Sequence, residues 1–331
     1  MPGWPELAAC TASIDNVRMV LTRVPADTDL NKLFEVINSR GVQLQHHEIL
    51  KGKMLSYLQG DTAECARYAR LWDACSSMDD YVEKALREIA HVRVADLYTT
   101  KDETSGREEL ASAQAVLKAL TQMQETPGQQ SAISLVDILD GTDIEPQGTF
   151  QRRDQEEDES SYDVRSIISF PMLLQHVLRI WLHQHTQPDL PKILDKELLG
   201  LFEQHFFVKG VGREQVTSFI ELLWEIRYCF DKYIIKWVMV GDEEQHLIYT
   251  LRVNQKVAGT KSYESLVRQP PTANDGFTLL QSMLYHSQQI TTHYWLTPLL
   301  AYIHAHPGSA DQHYTYLRHL DNHLLCGSDE A

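Results

Sequence analysis

The chain has 331 residues, is 43% hydrophobic and carries 30 basic against 46 acidic side chains, a formal net charge of −16. That length and apolar content can bury a sizeable core, in two domains or in one large helical body with a small appendage, whereas the acidic balance argues against broad non-specific nucleic-acid affinity, which Lys and Arg clusters drive by counterion release. Cys10, Cys65, Cys75, Cys229 and Cys326 are scattered without a C-x-x-C pair, the start MPGWPELAACTAS reads as no secretory signal and no apolar run is long enough to span a bilayer, so a cytoplasmic protein with no disulfide framework, zinc ribbon or membrane contact is expected.

The first element, Val17 to Val24, is rich in β-branched and aliphatic residues and reads as a strand. A lone strand leaves backbone donors and acceptors unpaired. Its partner is either a distant segment, with His246 to Val253 as the candidate, or strands supplied from outside this sequence, and the second reading is preferred. Leu30, Leu33, Phe34 and Ile37 then follow the i, i+3, i+4, i+7 spacing of a helix with one buried stripe, capped by Asp27 or Thr28 and stopped at Gly41. Between stripe and stop lie Asn38, Ser39 and Arg40, an amide, a hydroxyl and a guanidinium near a helix C-terminus. Such groups can hold a phosphate, a base edge or a metal-bound water, or can simply be the solvated polar residues of a C-cap. After Gly41 a second helix begins around Gln45-His46-His47-Glu48 and continues through Lys51, Lys53, Met54 and Leu55.

From Ala63 to Tyr98 the positions Tyr68, Leu71, Trp72, Cys75, Met78, Val82, Leu86 and Ile89 predict one long helix, or two with a break near Ser76-Ser77. Glu109 to Gln124 is another helix. Beyond Pro127 the composition turns polar and acidic, including the run from Arg152 to Ser161, and marks a solvated linker reaching to about Asp163. Helices are then expected at Arg165 to His185, Asp195 to Phe207, Arg213 to Val240, Asp275 to Gln289, His293 to His304 and Asp311 to Leu324. The histidines do not define a metal site: His319 and His323 share a helix face, but Leu320 stands where H-E-x-x-H needs Glu. His183 with His185, and His304 with His306, sit near helix ends, where imidazoles commonly cap carbonyls. Neither a phosphate-binding Gly-rich loop nor a nucleophile elbow is present, so no residue is assigned a catalytic or metal-binding role.

The string Phe34-Glu35-Val36-Ile37-Asn38-Ser39-Arg40-Gly41, followed by Leu44 and Glu48-Ile49-Leu50-Lys51, resembles the FxxxNSRGxxLxxxDLxK signature of the domain of unknown function 262 family, which includes the GmrS-type half of modification-dependent restriction enzymes and has a ParB/sulfiredoxin-like fold. Trp72 to Met78, Ser166 to Pro171 and Tyr294 to Leu300 are similar to segments of the helical region that follows in relatives. The resemblance implies a nucleotide-handling core whose P-x-Y-Q-R-like and D-G-Q-Q-R elements lie upstream. Here only about thirty residues precede Phe34, and Asp140-Gly141, followed by Thr142-Asp143, comes too late in the chain to serve. Relatives that end in an HNH-type nuclease carry a His-Ile-x-Pro-like motif, which this sequence lacks.

The expectation is therefore a mainly α protein, with a small α/β remnant at the N-terminus followed by a multi-helix bundle. Its divisions are 1–60 as the end of a ParB/sulfiredoxin-like domain, 61–126 as a helical segment, 127–164 as an acidic linker and 165–331 as a helical domain. The expected function is that of a truncated restriction or defence-related protein without complete nucleotide-hydrolysing or nuclease activity of its own. The alternatives are a non-enzymatic helical interaction module or one half of a split nucleotide-dependent restriction enzyme, and whether the chain is an enzyme stays open. Asn38, Arg40 and Gly41 are the nucleotide-binding candidates, and a nucleoside triphosphate with Mg²⁺ would be the cofactors of a complete domain. A protein partner supplying the missing strands, and DNA through the family, are the expected partners.

Overall fold

The computed structural model describes residues 44–90, 113–125, 164–185, 190–194, 197–208, 210–258, 261–270, 275–287 and 293–326. The strand expected at Val17 to Val24, the Asn38-Ser39-Arg40-Gly41 cluster and the acidic stretch up to Asp163 lie outside the described residues. From His46 onward the chain forms one compact unit, and the protein is mainly α.

The elements in chain order are α1 (His46–Ser56), α2 (Thr62–Ser76), α3 (Val82–Ala90), α4 (Ala113–Glu125), β1 (Val164–Ser166), α5 (Phe170–Gln184), α6 (Leu198–His205) and α7 (Arg213–Tyr233). They continue with β2 (Lys236–Val240), β3 (Glu243–Leu247), β4 (Thr250–Ala258), β5 (Lys261–Gln269), α8 (Gly276–Ser287), α9 (Leu296–Ala305) and α10 (Ala310–Cys326). Among the described residues no helix is long and apolar enough to cross a membrane.

The longest described helix, α7, is central. It buries Val216, Phe219, Ile220, Leu223, Trp224, Ile226 and Phe230, and α2, α3, α4, α5 and α9 pack around it. Stripes wider than one face explain this position, since a helix apolar on several sides needs neighbours on several sides. One hydrophobic cluster runs from Leu50 and Met54 through Trp72, Val116 and Leu173 to Leu300 and Leu317. The helices between 46 and 125 and those after 164 thus share a single core, so packing runs across the division expected between a helical segment at 61–126 and a helical domain from 165. The expected break near Ser76-Ser77 is present: α2 begins at the N-cap Asp61, whose carboxylate accepts from Glu64 N at 2.9 Å, ends at Ser76, and α3 starts at Val82.

Two of the expected helices are shorter than their apolar patterns. The helix expected over Arg213 to Val240 ends at Tyr233: Ile234 adopts extended backbone, φ −104° and ψ 141°, and Lys236–Val240 is a strand. Ile234, Ile235 and Val238 are β-branched and pack well on a pleated surface, which outweighs continuation of the helical stripe. The helix expected from Arg165 begins at Phe170, with Pro171 at its first turn, because proline lacks the N–H that an interior helical position requires.

β1, β2 and β3 form an antiparallel sheet in that order, with Trp237 opposite both Arg165 and His246. The turn between β2 and β3 uses Gly241 at φ +65°, a conformation that costs an L side chain energy and glycine none. The stretch His246 to Val253, read as one strand from sequence, is divided between β3 and β4. β4 pairs with β5 over nine residues each as a separate hairpin, Thr250 opposite Gln269 and Ala258 opposite Lys261.

Candidate functional site

The densest cluster of buried charge lies where the break between α2 and α3 meets the C-terminal half of α7 and the roots of β2 and β5. Arg227, Asp231 and Lys236 are each at most 1% exposed, and Arg268 and Glu83 are buried beside them. Burial of this kind is costly unless every group is paired and hydrogen-bonded. The pairing here is made largely with the main chain.

Arg227 donates from Nε to Cys75 O at 3.1 Å and from Nη2 to Ser77 O and Asp80 O at 2.9 Å each, while Nη1 binds the carboxylate of Asp231 one turn on. Lys236 Nζ donates to Met78 O and Asp80 O at 3.1 Å and lies 2.9 Å from Asp231 Oδ1. The second carboxylate oxygen of Asp231 accepts from Val82 N at 2.7 Å. Cations therefore meet the carbonyls at and beyond the end of α2, and an anion meets the first N–H of α3, the arrangement that the dipoles of both helices favour. Arg268 completes the set, donating from Nη1 to Asp231 O at 3.0 Å and Tyr249 O at 2.9 Å, and from Nη2 to Glu83. The ring of Tyr81 lies under both Lys236 Nζ, at 4.7 Å, and the Arg268 guanidinium, at 4.3 Å.

Three cationic and two anionic side chains meet here. The carbonyl oxygens and the face of Tyr81 supply the remaining negative potential. Burial pulls the Lys236 ammonium down to about 8 in spite of Asp231. Burial opposes ionisation of Asp231 too, but the cations Arg227, Lys236 and Arg268 hold its carboxyl below the ordinary carboxylate value. Tyr81 is pushed up by burial and remains a neutral phenol.

A second polar constellation lies along β2, β3 and α8. Trp237 is bracketed by the Arg165 guanidinium, 5.5 Å from its ring centre, and the His246 imidazole at 3.7 Å. His246 Nδ1 is 2.8 Å from Ser282 Oγ, and Tyr285 and His286 complete the ring cluster. Burial, followed by His286 and Arg165, lowers His246 to about 4. Deeper in the core, His176 on α5 shares a hydrogen bond of 2.7 Å with Thr297 Oγ1, and burial takes its pKa to about 3. Both imidazoles are neutral near pH 7.

The nucleotide-binding candidates Asn38, Arg40 and Gly41 lie outside the described residues. The helix that follows them, α1, is within them: Leu50 and Met54 are fully buried, and Lys51 Nζ holds Asp73 of α2 at 2.6 Å. Among the histidines weighed for metal, His304 Nε2 meets Glu225 at 2.7 Å, His313 Nε2 is 3.2 Å from His306 O, and His185 Nδ1 is 2.7 Å from Trp181 O. Among the described residues no group of three or more His, Cys, Asp or Glu side chains is placed to hold a metal. Cys75 and Cys229 are buried and their thiols are pushed up to about 12 by desolvation, so they behave as small core residues.

Sequence reading passed over the ionic cluster. The available signal was Arg227 and Asp231, one turn apart inside the apolar stripe of α7, where an unpaired charge would be prohibitive. A search of family models, curated proteins and solved structures finds no match to this chain.

Proposed function

We propose that this chain is a helical interaction body of a restriction or defence-related system, similar to the domain of unknown function 262 family, and that it works through binding rather than catalysis. The observation that supports this reading best is the wiring of the buried charges: Arg227, Lys236 and Asp231 are engaged with main-chain groups of their own fold. Groups so committed fix a scaffold. The family part of the reading rests on the Phe34 to Lys51 pattern. The purified chain, given ATP or GTP with Mg²⁺, is expected to release phosphate no faster than buffer; metal-dependent turnover that copurifies with the chain would overturn the proposal.

A second reading rests on the Phe34 to Lys51 pattern, which makes Asn38, Arg40 and Gly41 a nucleotide or DNA contact, with a protein partner supplying further strands. α1, which follows them in sequence, is anchored in its own core by Leu50, Met54 and the Lys51 to Asp73 pair. Titration calorimetry with ATP and GTP on the wild type and on N38A/R40A tests it. Loss of affinity in the double variant is expected, and equal affinity, or none in either protein, removes the idea.

A further inference from the structure

We infer that the cleft between α9 and α10 is a binding site for a guanidinium group, the head of an arginine side chain. Its residues take no part in the buried ionic cluster, so it stands or falls apart from the scaffold reading. A column of rings forms one wall. Tyr302 and Tyr316 are stacked with centres 3.9 Å apart and planes 4° from parallel, and His306 stacks on Tyr302 at 4.6 Å and 25°. Two nearly parallel rings so close cannot share one face of Tyr302, so His306 and Tyr316 cover opposite faces of it. His313, fully buried, meets Tyr302 edge-on at 6.2 Å and holds it further. The column therefore ends at Tyr316, whose second face carries no ring among the described residues.

At this end lies an open cleft of about 370 Å³, lined by Tyr302, Asp311, Gln312, Thr315, Tyr316 and His319. That volume falls in the range of small-ligand sites. All but Tyr302 come from one face of α10, where residues one turn apart are neighbours. Gln312 Oε1 already accepts from Ser309 N at 3.1 Å, and Thr315 Oγ1 donates to Asp311 O at 2.9 Å. The side chain of Asp311 is exposed and has no ion-pair partner among the described residues. Among the described residues the cleft has this one carboxylate, and no lysine or arginine lines it.

These groups select the ligand. A phenol ring attracts a cation to its face, and the chain's net charge of −16 draws cations toward its surface. The positive end of the α10 dipole opposes a cation here, and Asp311 in the first turn supplies the countercharge. An ammonium would satisfy charge alone. A guanidinium also satisfies shape, because it is flat, stacks on an aromatic face and presents a fork of N–H donors that a carboxylate accepts in pairs. It would extend the column on Tyr316 in the cleft that holds Asp311, while the Thr315 hydroxyl keeps lone pairs for a further donor. A nucleotide's base would stack as well, but its phosphate would meet a carboxylate with no lysine or arginine to offset it.

The test is ligand-observed NMR titration of the full chain, at low salt, with acetyl-Gly-Arg-Gly-amide. The citrulline peptide, which keeps arginine's shape without its charge, is expected to bind about tenfold more weakly, and the lysine peptide about threefold more weakly. Asp311→Asn and Tyr316→Leu are each expected to weaken the arginine peptide by about fivefold, whereas Tyr316→Phe, which keeps the ring, retains it. Asp311 is exposed, so its variant carries the test should Tyr316→Leu fail to fold. Ethylguanidine distinguishes the source of the group: affinity equal to the peptide's assigns the site to a small guanidinium compound, and binding about tenfold weaker assigns it to an arginine borne by a partner chain. No binding at millimolar arginine peptide, equal binding of the citrulline or lysine peptide, or wild-type affinity in Asp311→Asn or in Tyr316→Leu overturns the proposal.

Discussion

Along α7 two chemistries follow one another within a single helix. Toward its N-terminal end Phe219 packs edge-on to Phe202 at 5.4 Å and against Phe206 at 5.0 Å, with Phe207 continuing the cluster. Two turns further on, Arg227 and Asp231 hold the end of α2 and the start of α3. Aromatic contacts are weakly directional, so a smaller apolar side chain is partly accommodated. The ionic end has no such tolerance, since each group compensates the desolvation of the others and removal of one leaves its partners buried and unpaired.

The sharpest way to break this comparison is to change shape little at both ends. Asp231→Asn preserves the side chain's size but leaves three buried cations short of an anion, and is expected to lower unfolding free energy by about 3–5 kcal/mol in chemical denaturation. Phe219→Leu is expected to cost about 1–2 kcal/mol in the same experiment. If the two costs are equal, or reversed, the ionic end is not the more demanding of the two.

A pH series sharpens the comparison further, because the groups titrate in separate windows. Burial depresses the folded pKa of His246 to about 4 and of His176 to about 3, from 6.5. As pH falls below 6.5 the unfolded chain binds protons that the folded chain refuses, so the stability contributed by the neutral imidazoles is complete above 6.5 and is lost progressively toward 4 and below. Asp231, lowered from 3.8, contributes fully above that value and loses its contribution only as pH falls beneath it. Thermal melts are therefore expected to show a decline from pH 6.5 toward 4 that is shallower in His246→Asn and unchanged in slope in Phe219→Leu. The smallest effect is expected at the sheet surface. Arg165 and Glu244 are 58% and 48% exposed across their 3.0 Å contact, and Glu244→Ala should lower the unfolding free energy in chemical denaturation by less than about 0.5 kcal/mol.

Local periodicity made the helices legible. Leu71, Trp72 and Cys75 form a stripe that only a helix would bury, and the polar pair Ser76-Ser77 was enough to mark its break. The sheet was less legible because the apolar run from Ile234 to Val240 continues directly from the stripe of α7. The two-residue turn Gly241-Asp242, a hairpin signal, was the overlooked clue. The ionic cluster could not be assembled from spacing at all: Arg227 and Ser77 are 150 positions apart, and Arg268 and Glu83 are 185 apart. Pairing at that separation is decided by the packing of the whole core, which no local pattern encodes.

The long reach of those bonds bears on the order of assembly. The carbonyls of Cys75, Ser77, Met78 and Asp80 obtain their side-chain donors from Arg227 and Lys236, which a ribosome adds much later than the helices they seal. During synthesis α2 and α3 can form as local helices, but the joint between them is completed only when the second half of the chain arrives. Loop closure over so many residues is slow compared with helix formation. The α2–α3 joint therefore waits for α7 and β2, and a chain interrupted before Arg227 has no means of closing that turn in this way.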